Sequence, residues 1–536
     1  MICEYGTMLY CRTIIGQFYP LARLVKSLSE PTTVPPLYPG NFSSQRVAIE
    51  EPVTILLSWD SCVDTRAMVV APSYPWQKAI FTTAVEFGSE PLTVLTGAIP
   101  ASLRGTFYRN GPGRLQRGNQ RVGHWFDGDG AILAVHFQDG SAQGLLRYVQ
   151  TAGYQAEERA GRYLFPNYGM TTPGPLWERL FGKNVKNCAN TSILPLADRL
   201  LALWEGGAPH QLDRQSLQTL GLDTLGNLTL TTPYSAHPKR DPQTGEIYNF
   251  GVSLGRHATL HLYRSAPNGV IKKRVDVALE GLPLIHDFVM AGRYLVFMIP
   301  PVRLNILPLM FNLKSYSEAL EWQPDLGTKL LIFDRENLEI VQQAEAPAWF
   351  QWHFANGCEI SPNLIRCQLV RYADFATNEY LREVSTGDPV TEAPGHLWEM
   401  ELNIKTGHLV RETQLTERDC EFPVVPDTHV GQSWRYTYCS MKRAGANVVK
   451  EIDSVMGCYD QQTQTWQEFD CGVGYYCMEP VYVSEGNYLL NLIFNSHQEQ
   501  SELWIFPAAQ FTDGPCCQLR LPAIVPFGFH GKWAQD

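Results

Sequence analysis

Four of the 13 histidines sit in unusual local settings: His237 in SAHP, His286 in IHDF, His353 in QWHFANGCE and His530 in FHGKWAQD. They lie dozens of residues apart, so the close HxxxH pairing of a zinc helix is absent. Taken singly, such a histidine is more often a core or capping residue than a ligand. Brought to one point, four neutral imidazoles with no carboxylate among the ligands suit iron(II) and leave positions for dioxygen. Imidazole ligands need an outer acceptor that fixes the tautomer through the other ring N–H. Glu205 in LALWEGG, Glu421 in CEFPVV and Glu479 in CMEPVYV stand in apolar or turn-like settings suited to that task. A buried carboxylate must have a partner, because leaving it unpaired costs several kcal/mol. The remaining histidines, among them His257 and His261 in RHATLHLY, read as ordinary strand or surface residues.

Residues this far apart meet only if the fold has an axis. From about residue 98 onward the chain reads as short strands and turns. Residues 131–137, 200–204, 260–263, 294–299, 330–333, 397–404 and 488–494 are strand-like. Pro267, Asn268 and Gly269 break one pair of strands, and Lys405, Thr406 and Gly407 another, as hairpin turns do. Paired strands recurring over more than 400 residues predict an all-β fold of radially arranged four-stranded sheets, a β-propeller. Its innermost strands point side chains at one axis. No clean repeat fixes the number of blades. Residues 168–186 and the segment before Val94 are expected as helical or irregular insertions covering one face.

Composition narrows the partners. The 536 residues carry 43 Lys and Arg against 54 Asp and Glu, a net charge of -11, with 44% hydrophobic residues. No basic block offers itself to phosphates, which excludes nucleic acid and favours a small apolar substrate. The 13 cysteines form no CxxC pair and read as reduced thiols of a cytoplasmic protein. Residues 1–70 lack periodicity and are proline-rich around 31–39, so they are read as a loosely defined extension, with Met68 an alternative start. Residues 71–536 form the main domain. The apolar stretch 294–313 is interrupted by Pro300, Pro301, Arg303 and Pro308, which argues against a membrane-spanning helix. It reads as a core strand followed by an apolar loop. The competing expectation is a surface that dips into a membrane, helped by residues 175–181, and gives a peripheral membrane contact.

The motifs FYRNGPG (107–113), HWFDGDG (124–130), LWEGG (203–207), SAHP (235–238), HDF (286–288), CEFPV (420–424) and FHGKW (529–533) together resemble the carotenoid cleavage oxygenase family. The resemblance is closest to its bacterial apocarotenoid oxygenases and runs from about residue 75 to the C-terminus. It implies a seven-bladed propeller with a non-haem Fe(II) on its axis. By resemblance His237, His286, His353 and His530 are the iron ligands. Glu205, Glu421 and Glu479 hold His286, His353 and His530 respectively, and His237 lacks a carboxylate. Thr191 matches a threonine whose methyl crowds an open iron position. The glycine motifs around Asn110 and Asp127 are expected to close tight turns at positive φ. Gly357 replaces a more usual alanine, and Met478 stands where glycine commonly precedes the glutamate.

The function implied is cleavage of a conjugated C=C bond of a carotenoid or apocarotenoid by O2 to two carbonyl products. Trp204, Phe354 and Phe422, each beside a proposed ligand or its partner, are candidate walls of a substrate tunnel. A stilbene-cleaving dioxygenase is one alternative. Trp204 disfavours it, because such members place a lysine there. Isomerohydrolase-like chemistry on retinyl esters, and a non-catalytic propeller that binds a carotenoid, are the others.

Overall fold

Alternating burial along short strands and tight turns between them fold the chain into antiparallel sheets of sequence-adjacent strands. The computed structural model describes residues 74–174 and 184–535. The expected extension over 1–70 and the apolar residues 175–181 lie outside them. Among the described residues seven sheets have four or more strands, and two ribbons have two. The first strands of five successive sheets are Ser192–Pro195, Lys239–Arg240, Val289–Ala291, Phe354–Ser361 and Cys420–Val424. In a sixth sheet Tyr475–Cys477 and Val481–Val483 both pair with Tyr488–Asn495. The last sheet is built from both ends of the described chain: Gly531–Gln535 pairs with Gly105–Arg114, which pairs with Asp129–Gln138.

These first strands contact one another around a centre. Gly531–Gln535 touches both Ser192–Pro195 and Val481–Val483, and Phe354–Ser361 touches both Val289–Ala291 and Cys420–Val424. The architecture is all-β and propeller-like. The core lies between neighbouring sheets, as where Phe250 of Ile247–Ser253 meets Phe297 of Tyr294–Ile299 edge-on at 5.3 Å and Phe297 stacks on Phe288 at 5.1 Å. The expected strands and both hairpins are present: Thr259–Ser265 pairs with Ile271–Ala278, and His396–Asn403 with Leu409–Gln414.

Two local expectations change. Glycines of the 107–130 motifs are required by close approach rather than by positive φ. A Cβ on Gly111 would lie 2.3 Å from Gly528 Cα, and one on Gly130 would lie 2.2 Å from the Ala189 carbonyl, while Gly128 has φ -64°. The stretch 294–313 divides. Tyr294–Ile299 is a fully buried strand, Val302–Leu304 pairs with Leu320–Trp322, and the short helix Ile306–Met310 begins an exposed apolar surface of Leu307 (63%), Met310 (54%), Phe311 (58%) and Leu313 (69%). Among the described residues no helix is long and apolar enough to cross a membrane. Two helices escaped the sequence reading. Ala152–Ala160 is capped by Thr151, whose hydroxyl accepts the Tyr154 N–H. Ala376–Val384 lies against the cavity described next.

Candidate metal centre

The four histidines converge because each stands where the chain enters the first strand of a different sheet. His237 precedes Lys239–Arg240, His286 precedes Val289–Ala291, His353 immediately precedes Phe354–Ser361 and His530 immediately precedes Gly531–Gln535. Ring centroids lie 4.5 Å apart for His237 and His286, 4.8 Å for His237 and His530, 5.2 Å for His286 and His353, and 4.8 Å for His353 and His530. The His286 Nε2 is 3.1 Å from His237 Nε2 and 3.4 Å from His353 Nε2.

Three carboxylates hold the far side of three rings. Glu421 Oε2 lies 2.7 Å from His353 Nδ1, Glu479 Oε1 lies 2.9 Å from His530 Nδ1, and Glu205 Oε1 pairs with His286 Nδ1. His237 has no such partner. A proton on Nδ1, donated to the carboxylate, leaves Nε2 of each ring as a bare acceptor. The Nε2 atoms of these rings then point toward one another across about 3 Å inside the protein, an arrangement suited to a cation among them. Two nitrogens each about 2.1 Å from one ion and at right angles are separated by about 3 Å, so the spacing fits a metal ion. The chemistry of the donor set, all imidazole, suits a first-row transition metal.

The electrostatics differ from ring to ring. Burial, followed by the three neighbouring histidines, pushes His237 well below the usual imidazole range. Burial also lowers His530, against the opposing pull of Glu479. Burial lowers His353 too, but the Glu421 charge and hydrogen bond outweigh it and the net shift is upward. Glu421 and Glu479 are raised by burial and lowered more strongly by His353 and His530, so both stay ionised. Each carboxylate has further donors. Tyr372 O–H donates to Glu421 at 2.9 Å. The buried Arg109 donates to Glu479 Oε2 at 3.1 Å and to the carbonyls of Phe529 (2.9 Å) and Glu479, and the Gly531 N–H also reaches Glu479.

A cavity of about 550 Å³ opens onto the cluster. Thr191, Trp204 and Phe422 line it. Thr191 sits beside the centre, its carbonyl accepting the His530 N–H. Phe422 stacks on His353 at 5.4 Å from a left-handed backbone, φ +54°. Phe354 does not line the cavity. It opens the strand Phe354–Ser361 and packs in the core with Val289, Val296 and Leu369. Trp352 escaped the sequence reading: it lines the cavity and meets His286 edge-on at 4.9 Å, and nothing in its local sequence distinguishes it from a core tryptophan. Gly357 is fixed by packing, since a Cβ there would lie 2.8 Å from Ala291 Cβ. Met478 is buried in the cavity wall, its sulfur accepting the Gly528 N–H.

A family model described as retinal pigment epithelial membrane protein matches residues 80–535. The chain belongs to that family. Within the family it is 32% identical to the apocarotenoid-15,15'-oxygenase of Synechocystis sp. over 466 residues, 82% of this chain and 92% of that protein. It is 28% identical to the isoeugenol monooxygenase of Pseudomonas nitroreducens, over 82% of this chain and 93% of that protein. Among solved structures, a Synechocystis ACO mutant matches with a TM-score of 0.79 at 30% identity, covering 87% of this chain and 100% of that one. Cobalt-substituted Synechocystis ACO matches with a TM-score of 0.78 at 31% identity, covering 86% and 98%.

Proposed function

We propose that the protein is an Fe(II)-dependent dioxygenase that cleaves a conjugated C=C bond of an apocarotenoid or carotenoid, with one oxygen atom ending in each of two carbonyl products. The observation that carries this is the convergence of four imidazole rings, with the Nε2 atoms of His237, His286 and His353 3.1 and 3.4 Å apart in succession, while glutamates hold three of the rings from behind. His237, His286, His353 and His530 would hold the iron, and Glu205, Glu421 and Glu479 would fix the ring tautomers. Iron(II), when bound, supplies the binding and activation of dioxygen. The chain supplies position. Trp204, Trp352 and Phe422 present flat apolar faces to a rigid polyene, and how far it slides along the cavity selects the bond. Thr191, beside His530, would restrict one position next to the metal. The apolar cavity wall excludes water, and no side-chain acid or base is assigned to the reaction. The apocarotenoid oxygenase relative supports the polyene over a phenolic stilbene.

On this reading the seven sheets are seven blades and residues 71–536 form one oxygenase domain. The exposed Leu307, Met310, Phe311 and Leu313 would dip into a membrane surface from which a lipophilic substrate is taken, placing the protein in the cytoplasm with a peripheral membrane contact. The test is mass spectrometry of products after the Fe(II)-loaded protein is incubated in air with apocarotenals, C40 carotenoids and a hydroxystilbene. Paired carbonyl fragments from a polyene are expected, and His353→Ala should lose iron and activity together. Cleavage of the stilbene alone would overturn the substrate assignment, and no product from any of them despite bound iron would overturn the enzyme.

A further inference from the structure

Asp287 is a buried carboxylate that follows His286 and stands outside the residues lining the cavity. Its Oδ1 lies 2.8 Å from Lys239 Nζ and accepts the N–H of its neighbour Phe288 at 2.8 Å. Its Oδ2 accepts the Phe354 N–H at 3.0 Å. These partners come from three segments, and each segment carries a histidine of the cluster. Lys239 is two residues after His237, Asp287 is one after His286, and Phe354 is one after His353. Lys239 is steadied in turn, its Nζ 5.8 Å from the centroid of the buried Phe288 ring. The peptide that joins His353 to Phe354 is gripped from both sides. Its carbonyl accepts the Val370 N–H of its own sheet at 3.1 Å, and its N–H is taken by Asp287 from the preceding sheet. A shift of that peptide would carry the His353 ring with it. The strands that follow the three histidines, Lys239–Arg240, Val289–Ala291 and Phe354–Ser361, belong to successive sheets. One carboxylate therefore ties three sheets together at the metal end of their first strands. Hydrogen bonds to an ionised acceptor are short and directional, and in a buried setting leaving one unmade is costly.

We propose that Asp287 is a positioning residue of the metal centre: by holding Lys239 and the peptide N–H after His353 it fixes the mutual spacing of His237, His286 and His353. The inference rests on the metal-centre reading above and adds to it a group that is neither a ligand nor the partner of a ligand ring. Donor atoms must be held to within about 0.5 Å for a metal site to keep its geometry. The glutamates fix the tautomer and tilt of single rings, whereas Asp287 fixes the backbone of one ligand segment against those of two others. Asparagine at this position keeps the shape and one acceptor oxygen, but it loses the charge and turns an NH2 toward Lys239 or toward the Phe354 N–H. Leucine removes the junction altogether.

Cobalt(II) is the probe, because its visible ligand-field bands report the arrangement of the donor atoms as well as occupancy. Parent, Asp287→Asn, Asp287→Leu and Glu502→Gln proteins are loaded with cobalt(II), their spectra recorded at saturation and metal release followed against a graded chelator. Glu502 is the comparison for a loss of stability alone. It is also buried, accepts from Trp504 and Asn495 at 2.7 and 2.8 Å, and stands in Gln500–Pro507, a strand that carries none of the four histidines. Both Asp287 variants should show displaced cobalt bands and release the metal at about 10- to 100-fold lower chelator, with Asp287→Asn the milder. Glu502→Gln should keep the parent's bands and release curve even where it unfolds at lower urea. If Asp287→Leu does not fold, Asp287→Asn decides alone. Parental bands and release in the folded Asp287 variants, or an equal displacement in Glu502→Gln, would overturn the positioning role and leave the metal centre standing. A parent that binds neither cobalt nor iron would overturn the metal centre itself and this inference with it.

Discussion

Replacing Glu421 by glutamine changes one atom of the carboxylate and tests whether the groups behind the histidines hold the metal. The Glu421 carboxylate accepts from His353 Nδ1 at 2.7 Å, from Tyr372 O–H at 2.9 Å and from the Phe422 N–H. Glutamine keeps the shape but offers one carbonyl and one NH2, so either His353 or Tyr372 meets a donor where it had an acceptor. The charge that favours a proton on Nδ1, and so a free lone pair on Nε2, is gone. A charge-assisted hydrogen bond contributes about 1.5–3 kcal/mol, which corresponds to about 10- to 100-fold in metal affinity, the range found when such outer partners are removed. Parent and Glu421→Gln protein would be equilibrated against a graded chelator and their iron measured by atomic emission, with near-ultraviolet circular dichroism checking the fold. Release of iron from the variant at about 10- to 100-fold lower chelator is expected. Superimposable release curves would refute the assignment of Glu421 as the group that orients His353.

Arg109→Lys should cost about 3–5 kcal/mol in urea unfolding, because a lysine cannot reach Glu479 and two carbonyls at once and leaves the buried Glu479 charge short of partners; a loss below about 1 kcal/mol would contradict this. His124 is fully buried, its Nδ1 accepting the Phe126 N–H and its Nε2 donating to the Asn378 carbonyl, and burial pushes it down to about 3. Between about 6.5 and about 3 the unfolded chain binds a proton there that the folded chain does not, so this residue lowers stability as pH falls; His124→Asn, which keeps a capping oxygen, should lose less stability than the parent from pH 7 to pH 4, and parallel pH profiles would refute it. The purified protein should co-sediment with liposomes, and Phe311→Glu with Leu313→Glu should reduce that binding at unchanged iron content; equal binding would remove this surface from the membrane contact. Fe(II) at 100 times its Kd should stabilise the parent by about 2.7 kcal/mol and His530→Ala far less, whereas identical increments would exclude His530 as a ligand.

The residues of the site were legible in the sequence because each sits in a short motif with its own turn or strand start, and the resemblance supplied the pairing that spacing alone left open. What stayed hidden depends on side-chain direction or on contacts between distant segments. Phe354 was expected in the tunnel wall because it adjoins His353, yet it packs in the core between neighbouring sheets with Val289, Val296 and Leu369. Trp352, on the other side of the same histidine, takes the wall position instead. The glycines of 107–130 were recognisable as structural, but their reason, the passage of one backbone against another, is a tertiary fact. Asp419 and Lys442 carry no motif at all. They meet because Asp419 precedes Cys420–Val424 while Lys442 follows Tyr436–Met441 in the same sheet, where the strands Cys420–Val424 and Tyr436–Met441 pair.

The placement of the site also explains how the ring of sheets and the metal depend on each other. One polar group enters at the start of each first strand: Thr191, His237, His286, His353, Glu421, Glu479 and His530. None of these groups can reach the others through its own sheet, so their convergence requires every sheet to be in place. The final histidine comes with the strand that joins the two ends, because His530 immediately precedes Gly531–Gln535, whose partner is Gly105–Arg114. Arg109, in that partner strand, anchors Glu479 of the neighbouring sheet, and Glu479 in turn holds His530. Closure of the ring and completion of the donor set are therefore one event. A ligand that binds only the completed set adds its binding free energy to closure, and the network of Arg109, Glu479 and His530 is where that energy is transmitted to the strand pairing.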